Sequence, residues 1–226
     1  MMTETGAILE EKLMPLGWQP DTNDHAVNRY ANRTSEFHKY AEFGIRAVVG
    51  HAYEQTGETP HWIHDFENNM RKAIVLALNG HWQNDVVEWL SEAHAFANWH
   101  EADFTRFRKN ASPEIIEEHA RRLWGGSIAD CDEFSTIREL HLVANAVRHG
   151  PGLSLNTLKT EFPRLWEHPT AKSKLRPWYM TSDEPLPSFV ITEEDLARYL
   201  DAICGLWQRI SNSALKMVSE KHGLSI

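Results

Sequence analysis

From Ser35 onwards the apolar positions fall at intervals of three and four. Phe37, Ala41, Ile45, Val48 and Ala52 mark one face of a helix of about five turns that stops near Gly57. Ahead of it, residues 1–34 hold one short amphipathic piece, Ala7 to Met14, and then a polar, turn-prone run from Gly17 to Asn32. This stretch reads as an N-terminal extension, and residues 35–226 read as a single helical domain. Pro60 opens a second helix with Ile63, Phe66, Met70, Ile74 and Ala77 on one face and Gly80 at its end, and Val86, Leu90, Ala93 and Ala97 carry a third.

Ser112-Pro113-Glu114 is a helix start, with a capping hydroxyl, proline at the first helical position and an acid in the first turn. The fourth helix places Ile116, Ala120 and Leu123 together and ends at Gly125-Gly126. A fifth runs from Asp132 to His149 and stops at Gly150-Pro151. Residues 151–191 read as irregular and proline-rich, with room for one short strand or hairpin near 178–191, Phe189-Val190-Ile191 being the strand-like part. Thr192-Glu193-Glu194-Asp195 resembles a capping box opening the last helix, whose inward face is Leu196, Tyr199, Leu200, Ile203 and Leu206. The predicted fold is therefore all-α, a bundle of five to six helices.

Composition narrows the function more than it names it. The 226 residues carry 23 Lys+Arg against 32 Asp+Glu, a formal net charge of -9. Such a chain is a poor non-specific coat for nucleic acid, because counterion release requires clustered cations; any nucleic-acid contact must use a local patch. The longest apolar run, Ala73 to Leu78, falls far short of the roughly 20 residues of a membrane span. With an acidic start lacking a signal pattern and two cysteines, Cys131 and Cys204, that form no CxxC pair, the expectation is a cytoplasmic protein with no membrane contact and no cofactor. The nine tryptophans, among them Trp62, Trp89, Trp124 and Trp207, read as packing anchors.

The segment Arg138 to Gly150 carries the chemistry. On a helix, Ile137, Leu140, Val143, Ala144 and Val147 gather on the core side. Arg138, His141, Asn145 and His149 lie opposite, within about 80° of one another at about 100° per residue. A guanidinium, two imidazoles and a carboxamide thus follow one another over three turns. His141 and His149 are about 12 Å apart along the axis, too far to share a metal but suited to a cleft.

Asn145-x-x-x-His149 at the end of a late helix resembles the second half of the R-N-x-x-x-H signature of HEPN domains, all-α bundles of bacterial toxins, antiphage effectors and CRISPR-associated ribonucleases. The resemblance implies a metal-independent endoribonuclease whose site forms across a dimer and which leaves a 2′,3′-cyclic phosphate. It places the histidine on His149 and the orienting polar residue on Asn145. The family's arginine position falls on Ala144, so Arg148 or Arg138 would supply the guanidinium, with His141 beside them. Glu139 to Gly150 is also similar to an ELRLVANAIKHG helix of uncharacterised bacterial proteins, in which an arginine usually stands where His141 stands here. Tyr199, Asp201, Ala202, Ile203 and Trp207 resemble their closing helix. The implied partners are RNA, or a protein of the same defence or toxin–antitoxin system, with the chain a homodimer or a subunit of a complex.

Other constellations are less specific. Arg106, Arg108 and Lys109, with Arg121 and Arg122, form the densest basic patch and the candidate RNA-binding surface; Lys172, Lys174 and Arg176 form a second. Arg33/His38 and Arg46/His51 match an arginine–histidine spacing but fall on the first long helix. His61-x-x-His64-Asp65 has a metal-compatible spacing, with His94, His100, Glu101 and Asp103 as further donors. No second carboxylate-x-x-His pair accompanies it, so no metal site is expected, and a metal-dependent bundle hydrolase stays a minor alternative. A HEPN-like subunit without catalysis, serving interaction or scaffolding, is the main one.

Overall fold

The computed structural model describes residues 20–57, 63–96, 105, 107, 111–124, 127–167 and 189–222. Among these residues there are six α-helices and no strand: α1 Pro20–Thr56, α2 Ile63–Phe96, α3 Pro113–Trp124, α4 Asp132–His149, α5 Leu153–Glu161 and α6 Glu193–His222. Short 3-10 turns occupy Ile128–Asp130 and Pro163–Trp166. No helix among the described residues is long and apolar enough to cross a membrane. The chain divides into two compact units, one of residues 1–34, 80–137 and 201–226, the other of 35–79 and 138–200.

The first unit is organised by aromatic rings. Trp207 is fully buried, and its ring centroid lies 5.1 Å from that of Tyr30, 5.6 Å from Trp82 and 5.7 Å from Trp89, the two tryptophans edge-on. Edge-to-face packing at these spacings suits the ring quadrupoles and adds to the area buried. Asp85, also fully buried in this unit, has the Arg33 guanidinium as its ion-pair partner. α3 starts as its sequence directs, with the Ser112 hydroxyl accepting from the Ile115 N–H at 3.4 Å. Glu117 on α3 caps the following 3-10 turn: its Oε2 accepts from the N–H groups of Ile128 and Ala129 at 2.8 and 3.1 Å. Burial opposes ionisation there, but bonds from Ser127, Arg121, Ala129 and Ile128 outweigh it and hold the carboxyl below its usual range.

In the second unit Ile45, Ile74, Val75, Leu78, Leu140, Val143, Leu158, Leu165 and Leu196 form the core. The Asn68 amide clasps the chain ahead of α6: its Nδ2 donates to the Phe189 carbonyl at 3.3 Å and its Oδ1 accepts from the Ile191 N–H at 3.0 Å. The Val190 N–H donates to the Leu165 carbonyl at 3.0 Å. These bonds explain why Phe189-Val190-Ile191 is not the expected strand, since its backbone groups pair with a side chain and a 3-10 turn. Positions 178–188 of the expected strand or hairpin lie outside the described residues. The capping box forms: the Thr192 hydroxyl accepts from the Asp195 N–H at 3.1 Å, and the Asp195 carboxylate accepts from the Thr192 N–H at 3.0 Å.

Other expectations are corrected. α1 begins at Pro20, not at Ser35, so the polar run is helical from that residue, and Tyr30 and Thr34 are buried in the first unit. Burial of these two side chains is worth more than the weak turn propensity of Asn and Thr. α2 runs through Gly80, because Leu78 and Trp82 are both buried about it and a lone helical glycine costs only about 1 kcal/mol. α5 and a 3-10 turn occupy part of the stretch expected to be irregular, burying Leu155, Leu158 and Leu165. Val48 and Met70, expected inside, are 43% and 38% exposed, whereas Glu42 is buried, its carboxylate 3.9 Å from Arg71 Nε.

Trp207→Ala removes the ring that three others pack against. Urea denaturation is expected to show a loss of about 3–5 kcal/mol, a large share of the stability of an ordinary domain.

Candidate functional site

α4 is bounded by the charges a helix favours, Asp132 and Glu133 in its first turn and Arg148 and His149 in its last. Gly150 ends it with φ +70°, donating its N–H to the Ala146 carbonyl at 2.9 Å. Within the second unit, Leu140, Val143, Ala144 and Ala146 have no exposed surface. Ala144 therefore faces packed interior, and a side chain of arginine length there would have no route to solvent.

The polar stripe lies where the arithmetic put it, but its members differ. Arg138 is engaged by Glu161 of α5, each guanidinium terminus donating to one carboxylate oxygen. The bond to Arg138 holds the Glu161 carboxyl below its usual range. His141 and Asn145, both half-buried, are joined by the contact of His141 Nε2 with Asn145 Nδ2 at 3.0 Å. The contact orients the ring and the carboxamide against one another. Arg148 and His149 are exposed. Arg148 lies about 20° from His141 around the helix and so joins the same face. Asn145 thus steadies His141, one turn back, and not His149.

Of the expected RNA-binding residues, Arg121 is exposed and donates to Glu117 Oε1 at 2.8 Å and Ser127 Oγ at 3.3 Å. Arg106, Arg108 and Lys109, and the side chain of Arg122, lie outside the described residues, as do Lys172, Lys174 and Arg176. Arg33 and Arg46 are ion-paired with Asp85 and Glu193. His64 is exposed, 3.5 Å from Glu67, while His61, His100, Glu101, Asp103 and the His94 side chain lie outside the description. Among the described residues no group of three His, Cys, Asp or Glu is placed to hold a metal ion.

The cluster that the sequence reading missed centres on Glu139. Its Oε1 accepts from Tyr199 Oη at 2.7 Å, from Arg198 Nη2 at 2.7 Å and from Arg164 Nη2. Arg164 also donates to Asp195. Burial raises the Glu139 carboxyl above its ordinary 4.5, outweighing the pull of Tyr199 and Arg164. Burial, and next the neighbouring carboxylate, push the Tyr199 phenol well up, so it stays a donor. An open depression of 380 Å³ lies over the cluster, lined by Arg164, Val190, Thr192, Glu194, Asp195 and Arg198. The signal was present: Glu139 stands four residues before Val143 and seven before Ala146, so it shares their apolar face. A charge on such a face must be matched from elsewhere.

Chemically, the α4 face offers an imidazole fixed by a carboxamide and, one turn further, a guanidinium and a second imidazole open to solvent. These donors suit phosphate oxygens. Compared with models of known families, with curated proteins and with solved structures, the chain finds no match.

Removing the hub charge tests its place in the fold. Glu139→Ala is expected to cost about 2–3 kcal/mol, less than a fully buried pair because Arg164 and Arg198 reach solvent. Since the native carboxyl is raised, its contribution is fully present below about pH 4.5 and lost as pH rises through the native value. Denaturation of Glu139→Gln, which mimics the protonated acid, should therefore show its deficit against wild type narrowing as pH rises above about 4.5.

Proposed function

We propose that the chain is a HEPN-like helical protein that acts on or binds RNA, of the kind found in bacterial defence and toxin–antitoxin systems. The observation that carries this reading is the α4 face, where the bonded His141–Asn145 pair is followed by exposed Arg148 and His149. Because Arg138 is committed to Glu161, the guanidinium of α4 assigned to the phosphate is that of Arg148. His149 is then the general acid/base that protonates the leaving 5′-oxygen or takes the proton of the attacking 2′-OH. His141, held by Asn145, contributes a positioned imidazole to the same face. The net charge of -9 calls for a local patch of cations in any such contact, such as this face or the basic run at Arg106, Arg108 and Lys109.

A second reading is favoured by one observation. Ala144 is buried where the family has its arginine, which removes the main partner of the transition-state charge. On that reading the fold serves as an interaction or scaffolding subunit without cleavage.

A labelled mixed RNA pool, incubated with and without EDTA, separates them. The first reading expects cleavage that survives EDTA, leaves 2′,3′-cyclic phosphate ends and falls at least about 100-fold in His149→Ala. The exposed side chain's loss should leave the melting temperature within about 2 °C. RNA retention without cleavage would reduce the function to binding. Neither cleavage nor retention would remove RNA and leave the interaction subunit.

A further inference from the structure

The depression over Glu139 is built of parts that the α4 face does not use. All of them belong to the second unit, and the cavity they enclose measures 380 Å³. Arg164 and Arg198 line it, and the Nη2 groups of both donate to the same oxygen, Oε1 of Glu139. One acid thus holds two guanidiniums side by side, where by themselves they would repel. The side chains of Glu139 and Asp195 are only 2% and 7% exposed, whereas those of Arg164 and Arg198 are 42% and 36% exposed. Buried carboxylates therefore take the inner edges of the guanidiniums, and the outer edges reach the depression.

This differs from Arg138, whose fork closes on Glu161, a side chain 39% exposed. There an incoming anion must displace an acid on the solvent side. Over Glu139 it adds to guanidiniums that are already oriented from below. Arg164 gives one hydrogen from each terminal nitrogen to Asp195 and Glu139, and a guanidinium has more N–H donors than these bonds use. Donors fixed in this way take an oxyanion with little further loss of side-chain entropy.

The rest of the lining narrows the class of anion. The floor is electrically balanced, two guanidiniums against the carboxylates of Glu139 and Asp195, and exposed Glu194 adds a negative charge at the rim. A dianion such as phosphate is disfavoured there. A singly charged planar carboxylate, which matches the guanidinium fork, is the better guest. Val190 supplies an apolar wall for an aliphatic tail.

We propose that the depression is a binding site for small aliphatic monocarboxylates, with Arg164 and Arg198 holding the carboxylate and Val190 the tail. The inference does not depend on any action on RNA. With acids nearby and the cavity open, dissociation is expected on the order of 1 mM.

NMR titration of the isotope-labelled full chain with valerate, at constant ionic strength, tests it. The side-chain N–H signals of Arg164 and Arg198 should shift and saturate. Acetate, which lacks the tail, should bind roughly 10-fold more weakly, and phosphate at least roughly 10-fold more weakly. Pentanol, which lacks the charge, should leave the arginine signals in place. Val190→Thr keeps the shape and the backbone bond, and should weaken valerate about 3- to 10-fold without changing acetate. Glu194→Gln removes the rim charge and should tighten valerate roughly 2- to 5-fold. Neither variant alters a donor to Glu139, so melting should stay within about 2 °C for both. Arg198→Lys keeps the charge, loses the fork and should weaken valerate at least roughly 10-fold. The proposal is overturned by arginine signals that do not saturate by about 50 mM, by phosphate that binds as tightly as valerate, or by valerate binding indifferent to Val190→Thr and Glu194→Gln. An RNA oligonucleotide that displaces valerate would assign the two arginines to RNA and overturn it as well.

Discussion

A carboxylate on the apolar face of a helix constrains everything packed against it. Glu139 has almost no exposed surface, and left alone its charge would cost several kcal/mol. Three donors meet it from two places in the sequence of the second unit: the 3-10 turn supplies Arg164, and successive positions of α6 supply Arg198 and Tyr199. Arg164 can reach Glu139 only if residues 163–166 turn as they do. It then also meets Asp195, whose other oxygen closes the capping box that starts α6. One acid therefore fixes where a turn lies and connects the start of one helix to the middle of another. Apolar packing is non-directional and could not impose that specificity by itself; the satisfied polar network can, at the cost of burying charge.

Those demands also explain what was legible in the sequence. α4 was readable to its last residue, because acids at its start, cations at its end and Gly150 beyond it all act locally. The starts of α3 and α6 were readable for the same reason. What could not be read were outcomes decided by partners distant in the chain. The N-terminal part of α1 looks polar and turn-prone until Tyr30 is seen against Trp207, 177 positions away. Gly80 looks like a stop until both neighbouring turns of α2 are seen to bury their apolar side chains. The extended run at 189–191 looks like a strand because β-branched and aromatic residues favour extension, but extension does not require a sheet when Asn68 offers both a donor and an acceptor.

The candidate site divides along the same line. Helical periodicity was enough to put Arg138, His141, Asn145 and His149 on one face, and to put Ala144 on the other. It could not say that Arg138 would be taken by Glu161 or that Asn145 would bond to His141. Those two facts change the chemistry more than the placement does. A guanidinium with both termini bonded to a carboxylate is a costly phosphate ligand, since the incoming anion must displace an existing one. Arg148 is exposed and sits at the C-terminal end of the helix, where a cation is electrostatically favoured.

That position sets a limit on the site's chemistry as well. The C-terminal end of a helix dipole attracts cations and disfavours anions, so α4 itself contributes nothing to binding a phosphate; the side chains must do all of it. A site so placed differs from the phosphate cradles built on helix N-termini, where backbone N–H groups do most of the binding. Any phosphate affinity of such a face would rest on two or three side chains and would gain most from a neighbouring surface that adds cations of its own. In a chain of net charge -9 such cations are scarce. This is the physical reason why a contact made by the α4 face alone should be weak and local, and why it would be strengthened wherever association brings a second such face beside the first.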